Sequence, residues 1–499
     1  MKTIARKDIN AVLSPAGAPG WVPLAALAVG APWLLWSSFA LLEAGGPQSV
    51  AFDVAAGWFA LLGLVYLGLH GLKGGALFAV PVLLTIEALL GFAGIPVWRF
   101  ANGADQVDPG YAHAMLLALI GFIAFWIGSL VIRKEAGLRF VLRVRDTPAR
   151  VIFISGAMLG LGVVGNFALW KAGLLGYGAD AGLRASSLGF IQWLQFMANL
   201  LQVAVVVSAI EVIGRRSAEW RIKIVFWLSL LLSIGFGFLT GMKTGPLYPL
   251  LYVVLIYGIV RRRIPRAVIL LPVFLVVLIY PFVTAYRDNL NAGYRAQVNT
   301  VGGLEAVLVK SFNDAFLTYG SRSADAEATN YASATDRVNY LTYLRNISEL
   351  PAPSMLEGDE KVWLAPVYPL VPRFLWKGKP VLNKGQRLTS LLGGGNESSA
   401  ALTPIGDLYS MYGTYGIVVG MLVWGVFLQL YMNWISRKST SEKSFFVYIS
   451  MLPILLNLES GVVGIVAGTV QVGIGVLLTA YVIYGRSVTM LPVVDIRSR

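Results

Sequence analysis

The chain has 499 residues, of which 57% are hydrophobic and only 13% are charged. Soluble globular proteins carry about 25% charged residues, so this composition excludes an ordinary soluble protein. The chain has no cysteine and two histidines, which excludes disulfides, thiol catalysis, iron–sulfur clusters and a histidine metal cluster. In a soluble protein, a net charge of +14 would suggest binding to nucleic acid. The positions of the basic residues along the chain decide whether that interpretation applies here.

Apolar runs of about 20 residues recur along the chain, each long enough to cross a hydrocarbon layer of roughly 30 Å. They predict an all-α polytopic membrane protein with about twelve transmembrane helices. Two runs, 246–260 and 444–460, are short and are expected to be tilted or partly interfacial. The predicted spans are 21–42, 52–70, 74–95, 114–133, 149–170, 189–213, 220–240, 246–260, 266–284, 415–435, 444–460 and 462–484.

The basic residues orient these spans. When successive loops are placed on alternate sides, 24 of the 40 Lys and Arg fall on the side that holds both termini. Only four fall in the short loops opposite, and twelve lie in one long segment, residues 285–403. By the positive-inside rule both termini are cytoplasmic and the long segment is extracytoplasmic. The positive charge therefore reflects topology and contact with anionic lipid, and it gives no support to nucleic-acid binding.

The long segment divides the chain into three parts. A membrane domain of nine predicted spans occupies 1–284, the extracytoplasmic insert occupies 285–403, and three further spans with a cytoplasmic tail occupy 404–499. The insert has 119 residues, too many for a passive connection between helices. Its 12 basic and 11 acidic residues nearly balance, which indicates a folded polar surface.

Within the insert, the apolar pattern predicts two amphipathic helices, over 304–316 and 338–347. The four prolines of 362–380 predict an extended, irregular path. Gly393 to Gly395 predict a mobile lid before the chain returns to the membrane.

Several short motifs match known signatures but lack the structural context that those signatures require. GLGVVG at 160–165 is formally a dinucleotide fingerprint, but it lies inside a predicted membrane helix, where small-residue packing explains it. Lys243-Thr244-Gly245 has no S-x-x-K partner. The sequence has no P-loop, Asp-x-Asp or H-E-x-x-H motif, so neither a nucleotide nor a metal cofactor is expected.

The insert combines cations with aromatic residues. Arginine binds phosphate through two parallel hydrogen bonds and lysine acts as a point charge, while aromatic rings stack on sugars. The alternative is that these side chains form a solvated surface balanced by the insert's carboxylates. The cations are Arg287, Arg295, Arg322, Arg337, Arg345, Arg373, Lys377, Lys379, Lys384 and Arg387, and the aromatic residues include Tyr340, Tyr343 and Trp376.

Four carboxylates are further candidates. Glu87 and Glu459 lie in or near apolar spans. Burying an ionisable side chain there costs free energy, so each of the two residues is treated as a functional candidate. A helix–helix hydrogen bond for Glu87, or water access for Glu459, is the structural alternative. Asp407 and Glu397 lie beside the insert, where each is either a general base or a helix N-terminal charge.

Two motifs close the insert. A Pro-Arg-aromatic-x-Trp-x-x-Lys-Pro run is followed by a Gly-acidic-x-Tyr-x-x-aromatic-Gly stretch. The two runs consist of Pro372, Arg373, Phe374, Trp376, Lys379 and Pro380, and of Gly406, Asp407, Tyr409, Tyr412 and Gly413. With its many spans and one large outer loop, the chain resembles the Wzy-type polymerases of O-antigen and exopolysaccharide repeat units. It departs from them in Asp407, where Glu is commoner, and in Tyr412, where Phe is commoner.

The resemblance implies a membrane glycosyltransferase of the glycosyltransferase-C-like class in the bacterial inner membrane. The growing glycan would pass from undecaprenyl diphosphate to another lipid-linked repeat unit at the periplasmic face, without a cofactor. The other implied partners are the bilayer, a chain-length regulator and the flippase of the same pathway. Expected roles are catalysis for Arg373, Asp407 and Glu397, diphosphate binding for Arg287, Arg295, Arg337, Arg345, Lys379 and Arg387, and sugar binding for Tyr340, Tyr343, Trp376 and Tyr412.

Three other classes remain open at this point. A flippase or secondary transporter would suit twelve spans, but the sequence shows no repeat of two six-helix halves. An O-antigen ligase shares the general plan, but ligases usually use a loop histidine, and the insert has none. A protein-mannosyltransferase-like enzyme would carry its acidic residues in the first outer loop, which here holds only Glu43.

Overall fold

The computed structural model describes residues 48–70, 79–132, 149–176, 188–214, 219–261, 279–317, 339–393, 400–437 and 442–484, with short gaps inside some of them, and part of 31–38. All regular secondary structure in these residues is helical. The main helices are α1 (Gln48–His70), α2 (Val80–Ala101), α3 (Pro109–Val131), α4 (Ala149–Lys171), α5 (Leu188–Gly214), α6 (Trp220–Leu239), α7 (Leu247–Arg261), α8 (281–290), α9 (Val301–Phe312), α10 (Tyr340–Ser348), α11 (Lys384–Leu391), α12 (Pro404–Arg437), α13 (Glu442–Leu455) and α14 (Val462–Tyr484).

Eight of the described helices are long and apolar enough to cross a membrane: α1 to α6, α12 and α14. The chain is therefore a multi-pass membrane protein, as its composition predicts. Helix α7 is apolar but has only 15 residues, and α13 has 14, so both match the two spans that were predicted to be short. The first and ninth predicted spans, 21–42 and 266–284, lie largely outside the described residues, and the count of twelve stays a prediction.

Glycines set the closest helix contacts. Helices α3 and α12 run side by side in the same direction, because Gly121 meets Ile417 and Gly128 meets Leu422 further along both helices. A side chain at Gly128 would clash with the Leu422 backbone, so glycine permits this approach. Gly162, inside the GLGVVG run, packs in the same way against the backbone of α5. This contact confirms the packing interpretation of that motif.

The insert contains both amphipathic helices that the sequence predicts. Helix α9 continues into a π-helical turn at Asn313–Leu317. In α10, Leu341, Leu344 and Ile347 are fully buried against the membrane helices. Between α10 and α11, Val362–Leu364 is a single 3-10 turn, followed by turns, which agrees with the irregular path predicted for the proline-rich segment. Of the predicted lid, Gly394 and Gly395 lie outside the described residues.

Helix α12 starts earlier than its apolar run indicates, at Pro404 rather than near residue 415. Thr403 accepts a hydrogen bond from the Gly406 N–H at 3.1 Å and caps the helix. Gly413, with φ of +64°, then interrupts the helix, a conformation that glycine adopts at little cost. Residues 404–412 therefore form a separate helical segment that carries Asp407 above the long apolar part of α12.

Candidate functional site

A polar cavity of about 160 Å³ lies where α12 and α14 begin. Its walls come from α11, the segments flanking α11, and the turn between α13 and α14. The cavity has room for about five water molecules, at roughly 30 Å³ each. Four charged residues line it: Glu360, Lys384, Asp407 and Glu459.

Asp407 and Lys384 form a buried ion pair in this cavity. The Lys384 Nζ lies 2.8 Å from Asp407 Oδ1, and the two side chains are only 6% and 1% exposed. The Val463 N–H at the start of α14 donates to Asp407 Oδ2 at 3.3 Å. Because desolvating two charges costs several kcal/mol per ion, such a pair contributes little net stability.

The backbone around Asp407 is shaped to hold it. Thr403 is the one non-glycine residue among those described with a positive φ, at +53°. A β-branched residue adopts this conformation rarely, and strained residues of this kind cluster at functional sites. On the opposite wall, a Cβ atom at Gly461 would clash with Asp407 Oδ2. Glycine at 461 therefore lets the start of α14 approach the carboxylate.

Glu360 is a second buried carboxylate on the cavity wall. Its Oε1 accepts from Arg387 at 2.5 Å, and its side chain is 1% exposed. Its Oε2 is buried and has no hydrogen-bond partner. Arg387 is held in turn by the Asn383 side chain and the Leu356 carbonyl, at 3.0 and 3.1 Å. A buried carboxylate oxygen without a donor is rare and marks a position where a ligand or water is expected.

Glu87 and Tyr340 join the insert to helix α2. The Tyr340 hydroxyl donates to Glu87 Oε1 at 2.9 Å, and its ring lies 5.6 Å from that of Phe92. Burial first, and then the nearby Glu87 and Glu459 carboxylates, raise the pKa of Tyr340 above its usual value. The phenol therefore stays protonated and donates. A π-helical turn follows Glu87 at Leu89–Gly94, a feature that is frequent at functional sites.

Arg345 forms a different cluster, at the start of α3. Its guanidinium contacts Asp108 at 2.5 Å and Glu349 at 3.1 Å, and it lies 5.1 Å from the ring centroid of Tyr111. The Arg345 and Asp108 side chains are 27% and 34% exposed. Both carboxylates hold this guanidinium against the membrane helix, so its assignment to diphosphate binding stays a prediction.

The other predicted residues are spread over the structure. Arg287 donates to the Gly241 carbonyl at 2.6 Å, and Lys379 donates to the Val371 carbonyl at 3.0 Å. Trp376 packs on Tyr368, with ring centroids 5.7 Å apart. Tyr343 is half-buried and Tyr412 is exposed. Arg337, Arg373, Glu397 and the side chain of Arg295 lie outside the described residues.

Sequence reasoning therefore placed Asp407 and Arg387 in the site but missed the partners of both. Lys384 is one of 12 basic residues of the insert, and Glu360 is one of its 11 acidic residues. Neither belongs to a recognisable motif. One feature of the sequence could have indicated Lys384: it lies shortly before the motif that carries Asp407, at the start of a short helix.

A second cavity is an apolar groove of about 800 Å³ between α6 and α9. One wall is the last nine residues of α6, and the other is the apolar face of α9 and its π-helical turn. All of the lining residues are apolar or glycine: Leu231, Leu232, Gly235, Phe236, Phe238, Leu239, Ile279, Phe282, Leu304, Leu308, Phe312 and Phe316. Arg287 follows Phe282 in α8 by just over one helical turn.

Among the described residues, no three His, Asp or Glu side chains are grouped to hold a metal ion. Two of the three carboxylates that line the cavity are paired with cations, Asp407 with Lys384 and Glu360 with Arg387. Such pairs suit hydrogen bonding to hydroxyl groups and to anions.

Comparison with known proteins identifies a family without a described activity. No curated protein and no solved structure matches the chain. A family model described as a domain of unknown function, DUF8712, matches residues 183–454. The match includes the insert, α11 and the whole of α12, and so Glu360, Lys384, Arg387 and Asp407. Since it covers more than half of the sequence, the chain belongs to the DUF8712 family.

Proposed function

We propose that this chain is a membrane glycosyltransferase that joins lipid-diphosphate-linked oligosaccharide repeat units into a surface polysaccharide. The observation that carries the proposal is the buried Asp407–Lys384 pair, which opens into a polar cavity at the end of a membrane bundle. In this proposal the insert faces the periplasm of a bacterial inner membrane, twelve spans place both termini in the cytoplasm, and the cavity lies near the outer surface.

Glycosyl transfer requires an acceptor hydroxyl, a base that takes its proton, and positive charge that stabilises the departing diphosphate. The donor sugar is already activated by its diphosphate, so transfer needs no nucleotide. Carboxylates of the cavity bind the acceptor hydroxyl, and insert cations stabilise the charge that grows on the departing diphosphate. Arg373 is the proposed leaving-group residue, because it follows a rigid proline and precedes the aromatic pair Phe374 and Trp376.

The apolar groove supports a lipid-linked substrate. Its volume of about 800 Å³ is within the range of roughly 300–1,000 Å³ typical of ligand sites. The groove runs along the last residues of α6, which by the proposed orientation is the outer-leaflet end of that helix. A hydrocarbon chain lying there would place its diphosphate near Arg287.

The test is deletion of the gene followed by electrophoresis of the cell-surface glycan. Loss of polymerase activity is expected to leave a glycan of one repeat unit. Loss of all lipid-attached glycan would indicate a ligase instead, and accumulation of the lipid-linked unit on the cytoplasmic side would indicate a flippase. A chain-length regulator and a flippase of the same pathway are the proposed protein partners.

Reconstitution tests the proposed independence from cofactors. The lipid-linked fraction extracted from the deletion strain is incubated with the purified protein, EDTA and no nucleotide. Polymer is expected under these conditions. Strict dependence on a divalent ion would redirect attention to Asp288, Glu397 and Asp407 as ligands.

A further inference from the structure

We propose that Glu360, rather than Asp407, binds the acceptor hydroxyl and takes its proton during transfer. Three observations on Glu360 and Asp407, two of the three carboxylates that line the cavity, carry this inference: their pairing, the unpartnered oxygen of Glu360, and the fixed position of its backbone. The identity of the ligand as a sugar hydroxyl rests on the proposed function.

Both oxygens of Asp407 are engaged. Oδ1 contacts the Lys384 ammonium at 2.8 Å and Oδ2 accepts the Val463 N–H at 3.3 Å. A hydroxyl group that approached Asp407 would therefore compete with donors that both of its oxygens already have. Asp407 is therefore suited to holding Lys384 and the start of α14 in place.

Glu360 has one oxygen engaged and one open. Arg387 holds Oε1, whereas Oε2 is buried without a donor although Glu360 lines the cavity. Burying an oxygen of this kind is unfavourable unless a hydrogen bond compensates. A neutral hydroxyl that enters the cavity supplies the missing donor and adds no further charge to a site that already holds four charged groups.

The segment that carries Glu360 is fixed by its neighbours. The Lys361 N–H donates to the buried Tyr368 hydroxyl at 2.8 Å, and Tyr368 packs against Trp376. Arg387 also donates to the Leu356 carbonyl, which ties the same segment to α11. The open oxygen is therefore preorganised, as a catalytic acceptor needs to be.

The reaction step balances as follows. The acceptor hydroxyl donates to Glu360 Oε2 and its oxygen attacks the anomeric carbon of the donor sugar. The bond from that carbon to the diphosphate oxygen breaks, and its electron pair leaves with the diphosphate. The hydroxyl proton passes to Glu360, which releases it to water after transfer.

The first measurement is binding of a saccharide that cannot react. The probe is the oligosaccharide released by partial acid hydrolysis of the host's own surface polysaccharide. Its affinity is compared between wild type, Glu360→Gln and the control Glu349→Gln, which also removes an arginine-paired carboxylate but lies outside the cavity lining. Glu360→Gln is expected to weaken binding about tenfold or more, because it loses a hydrogen bond to a charged acceptor. Equal affinity in wild type and Glu360→Gln would overturn the proposal.

The second measurement keeps the charge at position 360 and so limits the risk that the variant does not fold. Glu360→Asp retains a carboxylate for Arg387, but its side chain is shorter by one methylene, which withdraws the second oxygen from the ligand. Glu360→Asp is expected to bind the oligosaccharide more weakly than wild type, whereas Glu349→Asp is expected to bind it as wild type does. Equal affinity in wild type and Glu360→Asp would contradict the proposal.

Turnover of the extracted lipid-linked fraction tests the polymerase activity separately from the proposed role of Glu360. If wild type forms polymer, Glu360→Gln is expected to be slower by about 10²–10⁴, the contribution typical of a general base. A wild-type rate for Glu360→Gln would exclude its role as the base. If wild type binds the oligosaccharide through Glu360 but forms no polymer, the polymerase assignment fails while the hydroxyl site stands.

Discussion

In the described part of the chain, two ion pairs of the same chemical design connect the insert to the membrane helices. In each, a cation of the insert meets an aspartate at the start of a membrane helix: Lys384 meets Asp407 in α12, and Arg345 meets Asp108, the N-cap of α3. Because α3 and α12 run in the same direction, both pairs lie at the same end of the bundle.

The two pairs differ in burial. The Lys384 and Asp407 side chains are 6% and 1% exposed, whereas those of Arg345 and Asp108 are 27% and 34% exposed. An exposed pair forms at little cost and joins two surfaces. A buried pair carries a desolvation penalty that an apolar pair would avoid, so a gain in stability does not account for it. The comparison therefore separates the candidate site from a docking contact of similar chemistry.

The largest effect is expected when the buried pair is broken on one side. Lys384→Met leaves Asp407 buried without its cation, which should lower the free energy of unfolding by about 3–5 kcal/mol. The double variant Lys384→Met with Asp407→Asn should recover most of that stability, because no uncompensated charge remains, but it should stay inactive. Thermal and chemical unfolding in detergent measure the first effect. If Lys384→Met is as stable as wild type, the pair is solvated and the comparison fails.

Arg373 is expected to affect turnover without affecting folding. Arg373→Ala should slow polymerisation by roughly 10²–10³, the effect of removing one preorganised electrostatic group. Arg373→Lys should rescue poorly, because an ammonium cannot reproduce the two parallel hydrogen bonds of a guanidinium. Polymer formation is measured with purified protein, with membrane insertion as the control. A wild-type rate for Arg373→Ala would make Arg287 or Arg345 the leading candidate.

A smaller effect is expected at Tyr340, which is as buried as the Lys384–Asp407 pair but carries no charge. Tyr340→Phe removes the hydroxyl that donates to Glu87 Oε1 at 2.9 Å. The free energy of unfolding should fall by about 1–3 kcal/mol, the penalty for leaving a buried acceptor short of a donor. Tyr415→Phe, at an exposed tyrosine of α12, is the control and should change nothing. Equal stability of the two variants would show that Glu87 finds another donor.

The smallest effect is expected at the exposed pair. Arg345→Ala removes contacts to Asp108 and Glu349, and pairs of this exposure contribute about 0–1 kcal/mol each. Stability should therefore fall only slightly, and polymer formation should continue. Turnover reduced as strongly as by Arg373→Ala would instead assign Arg345 to the diphosphate, as the sequence predicts.

The helices could be predicted from the sequence because their signal is local. Apolar runs and amphipathic spacing located the eight long apolar helices and the insert helices α9 and α10, whereas α11 was not predicted. The start of α12 was missed, since the apolar run begins near residue 415 while the cap at Thr403 and the proline at 404 set the actual start.

The partners within the site could not be predicted in the same way. Lys384 and Asp407 are 23 residues apart, Arg387 and Glu360 are 27 apart, and Tyr340 and Glu87 are 253 apart. No periodicity relates such positions, because tertiary packing alone brings them together. The sequence could therefore name Asp407, Arg387, Tyr340 and Glu87 as candidates and assign none of them a partner.

The most direct test of the functional distinction between the two pairs replaces each aspartate by asparagine. Asp407→Asn and Asp108→Asn make the same chemical change at matched positions, each at the start of a membrane helix. Each variant is expressed in the deletion strain, its amount in the membrane is measured, and the surface glycan is separated by electrophoresis. Asp108→Asn is predicted to restore the ladder of polymer, whereas Asp407→Asn at the same membrane level is predicted to leave a single repeat unit. A full ladder from Asp407→Asn would contradict the account.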